Sequence, residues 1–254
     1  MDRDTTDPRW SDDARDRKAR AIVGTLERSV GRLPGGQWLD LGCGSGDLAA
    51  ELARLRPGAR VTGIDPEPWA RWKDLGEAPG APRFLQGGCG EATRLVGAAS
   101  MDVVICNQVY EHVPSVRELL DAIHAVLRPG GVCYFAGPNL LWPVEPHVFW
   151  PFVHWLPRRF AVGLMRACGS RRAADLDAWS LDWWRLTRLI KVAGLYRQDA
   201  IKHRLSVVAG NSAGARAARA IARLPRRFFA AAAPVSPAFV FVLRKPGAPS
   251  ARQP

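Results

Sequence analysis

The sequence predicts a doubly wound α/β fold built on a mainly parallel sheet. Short apolar segments alternate with segments of helical periodicity, and the connections between them are short. Three glycines at alternate positions follow the first apolar segment, 37–41, and a helical pattern begins directly after them. A strand, a glycine loop and a helix N-terminus in that order form a pocket of backbone N–H groups at the carboxyl edge of the sheet, where such folds bind ligands.

The predicted elements continue this alternation along the chain. Apolar residues at helical spacing begin near Ala19 and stop before Pro34, and Ser180 and Gly194 are typical cap residues on either side of a late helix. The predicted strands cover residues 37–41, 60–65, 84–86, 101–107, 132–136, 196–204 and 238–245, and the predicted later helices cover 47–55, 116–127 and 181–193. Right-handed crossovers are expected to join the parallel strands.

One domain with attached segments accounts for the chain length. Residues 1–18 alternate Asp and Arg and are predicted to form a charged arm, and residues 246–254 are predicted to form a loose tail. The domain is expected to cover 19–245 and to carry an insertion at 140–178.

Cysteine usage and the N-terminal region indicate a reducing, cytoplasmic location. The five cysteines are scattered and include no C-x-x-C pair, which argues against a disulfide framework and against a zinc site, so no metal is expected. The charged N-terminal region lacks the apolar core of a signal peptide. No uninterrupted apolar run reaches the ~18 residues that a spanning helix needs.

Positive charge is concentrated in the last two fifths of the chain. Residues 1–150 hold 17 Lys and Arg and 20 Asp and Glu, a net charge of −3, whereas residues 151–254 hold 19 and 4, a net charge of +15. Nucleic acid or an anionic membrane surface would each explain this excess. Residues 210–233 are predicted to form a basic amphipathic helix, either on anionic lipid or as a solvated surface helix.

Tryptophan is concentrated in and beside the 140–178 insertion, since six of the ten tryptophans lie between Trp142 and Trp184. The insertion is expected to be a helical cap that closes an acceptor pocket. Its Trp and Arg residues also suggest a membrane interface that would admit a lipid-bearing acceptor.

Asp65 ends the second predicted strand, 19 residues after Gly46. In nucleoside-binding sheets an acidic residue at this place accepts hydrogen bonds from the two ribose hydroxyls, and a carboxylate offers two oxygens for two donors. The simpler alternative is that Asp65 caps the turn into Pro66-Glu67-Pro68.

Five motifs in strict order, over residues 35–137, resemble the class I S-adenosylmethionine-dependent methyltransferases, in particular the small-molecule branch with ubiquinone-type and glycan-associated O-methyltransferases. The motifs are Asp40-Leu41-Gly42-Cys43-Gly44-Ser45-Gly46, Gly63-Ile64-Asp65, Asp102-Val103-Val104-Ile105, Tyr110-Glu111-His112-Val113 and Leu127-Arg128-Pro129-Gly130-Gly131. A dinucleotide-binding G-x-G-x-x-G loop would need glycine at position 47, where Asp47 stands.

The resemblance implies a seven-stranded Rossmann-like sheet with an antiparallel last strand, and S-adenosylmethionine as cofactor. It assigns the methionine end of the cofactor to the first motif, the ribose to Asp65, and the adenine to Pro66 and the turn after the third strand. That turn reads Gly88-Cys89-Gly90-Glu91, where the family usually has Gly-Asp-Ala-Glu. The residues assigned to the cofactor are Asp40, Gly42, Cys43, Gly44, Gly46, Asp65, Pro66, Gly88, Cys89, Gly90, Asn107 and Gln108.

Methyl transfer to a hydroxyl benefits from a general base, and His112, Glu145 and His147 are the candidates near the predicted strand ends. His112 has the alternative of hydrogen bonding at a helix start. His147 has the alternative of bonding a backbone carbonyl.

Three classes of function are compatible with these observations. The first is a methyltransferase that acts on an oxygen of a small amphipathic or lipid-linked acceptor, with peripheral contact to an anionic membrane. The second is a nucleic-acid methyltransferase, but Asn107-Gln108-Val109-Tyr110 stands where its Asn/Asp-Pro-Pro-Tyr/Phe signature would be. The third is a non-catalytic protein that kept the fold; the intact Asp40 and Asp65 argue against it, and Cys89 is in its favour.

Overall fold

The protein is described by a computed structural model over residues 12–145, 148–171, 173 and 180–247, with the side chains of Asp12, Asp13 and Glu145 outside the description. Its main feature is a seven-stranded sheet in the order β3-β2-β1-β4-β5-β9-β8, and a two-stranded hairpin, β6-β7, stands apart from it. The strands are β1 (Gln37–Leu41), β2 (Arg60–Asp65), β3 (Arg83–Gln86), β4 (Met101–Asn107), β5 (Leu127–Pro138), β6 (Val144–Glu145), β7 (Trp150–Pro151), β8 (Tyr196–Asp199) and β9 (Ala238–Arg244). β9 is antiparallel to both of its neighbours, and β1 to β5 are parallel, which confirms the predicted fold class.

Helices cover both faces of the sheet. They are α1 (Asp12–Val30), α2 (Asp47–Leu55), α3 (Arg71–Leu75), α4 (Ala92–Val96), α5 (Val116–Val126), α6 (Arg158–Ala167), α7 (Trp183–Val192), α8 (Ile201–Ser206), α9 (Ala213–Ile221) and α10 (Arg226–Ala232). One core layer contains α5 and α7, and the other contains α1 and α2. Side chains alternate between the layers along β1, since Trp38 lies in the second and Leu39 in the first.

The first helix begins at Asp12, seven residues before the predicted Ala19. The charges that suggested an arm at residues 1–18 are used in ion pairs from residue 15 onward. Arg15 pairs with Asp47 at 3.1 Å, and Asp16 pairs with Arg20 one turn further along α1. The described part of the predicted arm is therefore a helix attached to the domain.

Further boundaries differ from the prediction. β5 begins at Leu127, five residues before the predicted residue 132, because Leu127 already pairs with Met101 of β4. The strand predicted at 196–204 ends at Asp199, because Ala200 is buried in the core layer and accepts the backbone N–H of Arg204 in the first turn of α8. The cap of α7 is Asp182 rather than Ser180, and its side chain accepts the N–H of Arg185 at 2.9 Å.

Other predictions about the later helices are partly met. Gly194 has φ +76 and follows α7 as the predicted C′ residue. Residues 213–232 form two helices instead of one, because Pro225 interrupts them: it lacks a backbone N–H and stands as the N-cap of α10.

The described residues between 140 and 171 follow the carboxyl end of β5. The hairpin β6-β7 is followed by a short 3₁₀ turn and α6, and these elements share a small apolar core separate from the two main layers. The members of that core are Val148, Val153, Ala161, Met165 and Ala173. Among the helices that the structure describes, none is long and apolar enough to cross a bilayer.

Candidate cofactor and acceptor site

The glycine loop after β1 has a backbone that only glycine accommodates at two of its positions. Gly42 has φ +78, and a Cβ there would lie 2.5 Å from Val109 Cγ2. Gly46 has φ +86, and a Cβ there would lie 2.6 Å from Phe84 Cε1. Gly44 faces open space, so the loop presents its middle to a ligand and packs its two ends against the protein.

Asp65 connects the end of β2 to this loop. Its Oδ2 accepts the N–H of Gly44 at 2.8 Å, and its Oδ1 accepts the N–H of Glu67 at 3.1 Å. Asp65 therefore caps the turn after β2, as the simpler alternative predicts, and it also bonds to the glycine loop. Each carboxylate oxygen keeps a second lone pair, which leaves Asp65 able to accept from a ribose hydroxyl.

Asp40 is buried at the end of β1 with a polar atom that nothing satisfies. Its Oδ2 has no hydrogen-bond partner among the described residues, and the same holds for Nδ2 of Asn107 at the end of β4. The pKa of Asp40 is raised to about 7: burial is the main cause, the charge of Lys18 opposes it, and nearby Asp65 adds to it. Buried polar atoms without partners are rare in native proteins, so a free acceptor and a free donor at one sheet edge indicate a ligand that carries both kinds of group.

Lys18 is a site residue that the sequence pattern did not indicate. It is solvent-accessible on α1 and lies close enough to Asp40 to interact with it. The protein around it lowers the pKa of its ammonium group, mainly by desolvation, while Asp40 acts in the opposite direction. Its charge stands beside the free carboxylate oxygen, so the pocket has both signs of charge.

Asp47 and Trp72 complete the walls of the loop, and both were missed by pattern reasoning. Asp47 is buried and accepts from Ser45 Oγ and from Arg71 Nε, each at 2.6 Å, in addition to its ion pair with Arg15. Trp72 donates its indole N–H to the carbonyl of Gly44 at 2.8 Å. Apart from the bond between Ser45 and Asp47, these contacts join segments that are distant in sequence, and no local spacing signals them.

The predicted adenine turn forms a 3₁₀ helix at Cys89–Glu91. Cys89 is half-buried against the core, and burial raises the pKa of its thiol, so it presents a neutral group. Pro66 is exposed and accepts from Gln86 Nε2 at 3.2 Å. The structure places both at the carboxyl ends of β2 and β3, on the side of the loop that Asp65 borders.

The segment after β4 is held in an unusual backbone conformation. Gln108 has φ +59, and its N–H donates to the carbonyl of Ala136 at 2.8 Å. Tyr110 is buried, donates its hydroxyl to the Pro138 carbonyl and accepts the N–H of Leu181 at 3.3 Å. These bonds fix the ends of β4 and β5 beside the glycine loop.

The candidate general bases receive no assignment from the geometry. His112 lies in a turn before α5, with an exposed side chain, so it is not at the helix start, where Ser115 is the cap. Glu145 belongs to β6, but its side chain is not described. His147 lies outside the described residues.

The comparisons with known proteins identify the family. A model described as a methyltransferase domain matches residues 13–206, and the chain therefore belongs to this family. The family is that of the S-adenosylmethionine-dependent methyltransferases, which confirms the resemblance inferred from the motifs. The glycine loop, the free Asp40 oxygen and the free Asn107 donor fit the zwitterionic end of that cofactor.

Two curated relatives match part of the chain. A human thiol S-methyltransferase, TMT1B, is 38% identical over 122 residues, which is 45% of this chain and 46% of that protein. A ubiquinone biosynthesis O-methyltransferase of Colwellia psychrerythraea is 36% identical over 105 residues, 41% of this chain and 42% of that protein. The chain thus spans about half the length of the curated relatives it matches.

Solved structures agree on the fold. The 1,6-didemethyltoxoflavin-N1-methyltransferase of Burkholderia thailandensis, crystallised with 1,6-didemethyltoxoflavin and S-adenosylhomocysteine, has a TM-score of 0.53 and 21% identity, and the match covers 94% of this chain and 81% of that chain. At this identity the likeness supports the Rossmann-like fold alone.

Proposed function

We propose that the protein transfers a methyl group from S-adenosylmethionine to an oxygen of a small amphipathic or lipid-linked acceptor, such as a glycan or quinone-type compound. The observation that supports cofactor use most strongly is the buried Asp40, whose Oδ2 has no partner among the described residues and stands next to the open glycine loop. An ammonium group is the ligand that would satisfy it, since it offers three donors and a full positive charge.

We propose that different residues at the sheet edge bind different parts of the cofactor. Asp40 would accept from the amino group of the cofactor, and nearby Lys18 would attract its carboxylate. Asp65 would accept from the ribose hydroxyls while it keeps its bond to Gly44. Gly88, Cys89 and Gly90 would border the adenine with backbone groups and a neutral thiol, where the family usually places a carboxylate.

The cofactor supplies an activated methyl group on a sulfonium, and the protein has to align the acceptor in line with it and exclude water. The ion pair of Arg15 with Asp47 holds α1 against the glycine loop, which helps to close that side of the site. His147, with Glu145 and His112 as alternatives, is proposed to remove the proton from an acceptor hydroxyl.

An amphipathic acceptor is supported by the surface around the site. Residues 140–171 leave the carboxyl edge of the sheet and expose large apolar side chains there. We propose that these residues cap the acceptor pocket and that the protein works in the cytoplasm in peripheral contact with an anionic membrane. The five cysteines are all unpaired, which supports a reducing location.

A thiol is the second acceptor group to consider, because the human relative is named as a thiol S-methyltransferase. The test is to incubate the protein with extracts and with S-adenosylmethionine that carries a deuterated methyl group, followed by mass spectrometry. A product that gains one labelled methyl group and then yields a methanol-type fragment supports oxygen as the acceptor atom, and a methanethiol-type fragment supports sulfur. Labelled nucleic acid alone would favour the second class of function, and no labelled product would favour a non-catalytic protein.

A further inference from the structure

Outside the cofactor site, one surface exposes many apolar side chains. It is formed by the aromatic segment, residues 148–167, which includes β7, the 3₁₀ turn and α6. We propose that its exposed face docks on an anionic lipid bilayer. The inference adds a membrane partner to the proposed methyltransferase. It rests on the proposed function in one respect: a lipid-linked acceptor is the reason why the protein would need a bilayer.

The helix α6 has two apolar faces, and only one of them packs against the protein. Ala161 and Met165 are fully buried in the small core. Phe160 and Leu164, spaced four residues apart in α6, are 56% and 46% exposed, and Leu156, two residues before the helix, is 41% exposed. Residues at this spacing form a continuous stripe along a helix, so an apolar stripe faces away from the protein.

Two phenylalanines beside this stripe are held exposed by a costly backbone. Phe149 has φ +57 and is 60% exposed, and Phe152 has φ +60 and is 51% exposed. The left-handed region is strained for a bulky residue, and strained residues of this kind cluster at functional sites. The conformation at Phe152 is fixed by its N–H, which donates to the Pro143 carbonyl at 2.6 Å.

Trp155 is oriented as an interfacial residue. Its indole N–H donates to the carbonyl of Leu140, while 49% of its surface stays exposed. His154 Nε2 lies 3.0 Å from the same carbonyl and 2.8 Å from the carbonyl of Trp142. The two side chains tie the aromatic segment to the chain just beyond β5, at the sheet edge that carries the glycine loop. A surface docked through this segment would bring the acceptor site close to the bilayer.

The charge of the aromatic segment favours a lipid surface over a protein surface as its partner. The sequence from residue 148 to 173 contains five arginines and no Asp or Glu. Arg158, Arg159 and Arg166 are exposed, and the Arg159 guanidinium lies 4.8 Å from the centre of the Phe160 ring. Basic residues next to exposed aromatic rings match an anionic bilayer, whose surface attracts each basic residue close to it. A second copy of the same face would bring arginines against arginines.

The test is flotation with two kinds of vesicle, phosphatidylcholine alone and phosphatidylcholine mixed with phosphatidylglycerol. We expect wild-type protein to float with the anionic vesicles only. Phe160→Ser with Leu164→Ser should reduce that partition by about 10-fold or more, because two apolar side chains are lost from the interface. Arg158→Glu with Arg159→Glu should produce a loss of similar size.

The matched control is Val192→Ser with Tyr196→Ser, at two residues that are 56% and 69% exposed. Val192 ends α7, and Tyr196 begins β8, away from the aromatic segment. This variant should float like the wild type. Calorimetric binding of S-adenosylhomocysteine should be the same in all variants, which verifies that they fold.

Three results would overturn the inference: no flotation of the wild type with anionic vesicles, equal flotation of the variants in the aromatic segment, or a dimer in ultracentrifugation that Phe160→Ser with Leu164→Ser dissociates. Flotation without any methyl transfer would leave the docking surface intact and count against the proposed function instead.

Discussion

The cofactor loop buries charge, whereas the aromatic segment that leaves the same sheet edge exposes apolar surface. Asp40 and Asp47 are both more than nine-tenths buried, and Asp47 is surrounded by hydrogen bonds and ion pairs. Phe149 and Phe160 are more than half exposed, and Phe149 also has a left-handed φ of +57. Each region therefore holds side chains in an unfavourable environment: carboxylates away from water in the first, and aromatic rings in water in the second. A bound partner would make each environment favourable. A cation would satisfy the first region and a bilayer the second.

The largest effect is expected from Asp40→Asn, which keeps the shape and removes the charge. Binding of S-adenosylhomocysteine should weaken by at least about 100-fold, since the ammonium group would lose its charged partner in a buried site. Calorimetry measures the change. The exposed Asp74→Asn on α3 is the control and should bind like the wild type. Equal affinities of the two variants would refute the role of Asp40.

The same substitution should stabilise the free protein above neutral pH. The pKa of Asp40 is raised in the folded state, so its ionisation costs stability as the pH rises from the usual value of 3.8 through about 7. Removal of the carboxylate should raise the free energy of unfolding by roughly 1–3 kcal/mol at about pH 8 and by much less near pH 5. Urea unfolding at the two pH values tests this, and a loss of stability at the higher pH would contradict it.

Asp65→Ala is expected to have the next largest effect. The substitution removes the acceptor for ribose hydroxyls and the acceptor of the Gly44 N–H, so affinity for S-adenosylhomocysteine should fall by about 10- to 100-fold. Glu67→Ala removes a neighbouring exposed carboxylate and should leave the affinity unchanged. If both variants bind equally, Asp65 only caps its turn.

The smallest effect belongs to the aromatic segment. Phe149→Gly should raise the free energy of unfolding by roughly 0.5–1 kcal/mol, because glycine adopts the left-handed conformation without strain. Trp150→Gly, at the next position, should destabilise, since Trp150 packs on the small core and its φ is not in that region. Thermal unfolding of the two variants gives the comparison. A stability loss in Phe149→Gly would mean that the contacts of the Phe149 side chain outweigh the strain of its backbone.

The sheet and its glycine loop were predictable because their signals are local. Alternating glycines after an apolar strand, and an acidic residue 19 positions later, are both read from adjacent sequence, and β1, α2, β2 and β4 have their predicted bounds. The start of α1 was missed because alternating charges look solvated until their partners are known, and the partner of Arg15 is 32 residues away. Lys18 and Trp72 were missed for the same reason.

The acceptor side was less predictable because it depends on tertiary placement. Trp and Pro composition indicated that residues 140–178 are not a plain connection, but the left-handed φ of Phe149 and Phe152 has no sequence signature, since bulky residues avoid it. The general base stays a prediction for His147, Glu145 and His112.

The measurement that tests cofactor recognition most directly is calorimetry of the wild type with S-adenosylhomocysteine at pH 7 in two buffers of different ionisation enthalpy. Because the pKa of free Asp40 is raised to about 7, part of the population must lose a proton before the carboxylate accepts the ammonium group. We predict one site per chain and proton release on binding, and Asp40→Asn should abolish the release. An identical heat in both buffers, or no binding at all, would contradict the assignment of Asp40 and the glycine loop to the cofactor.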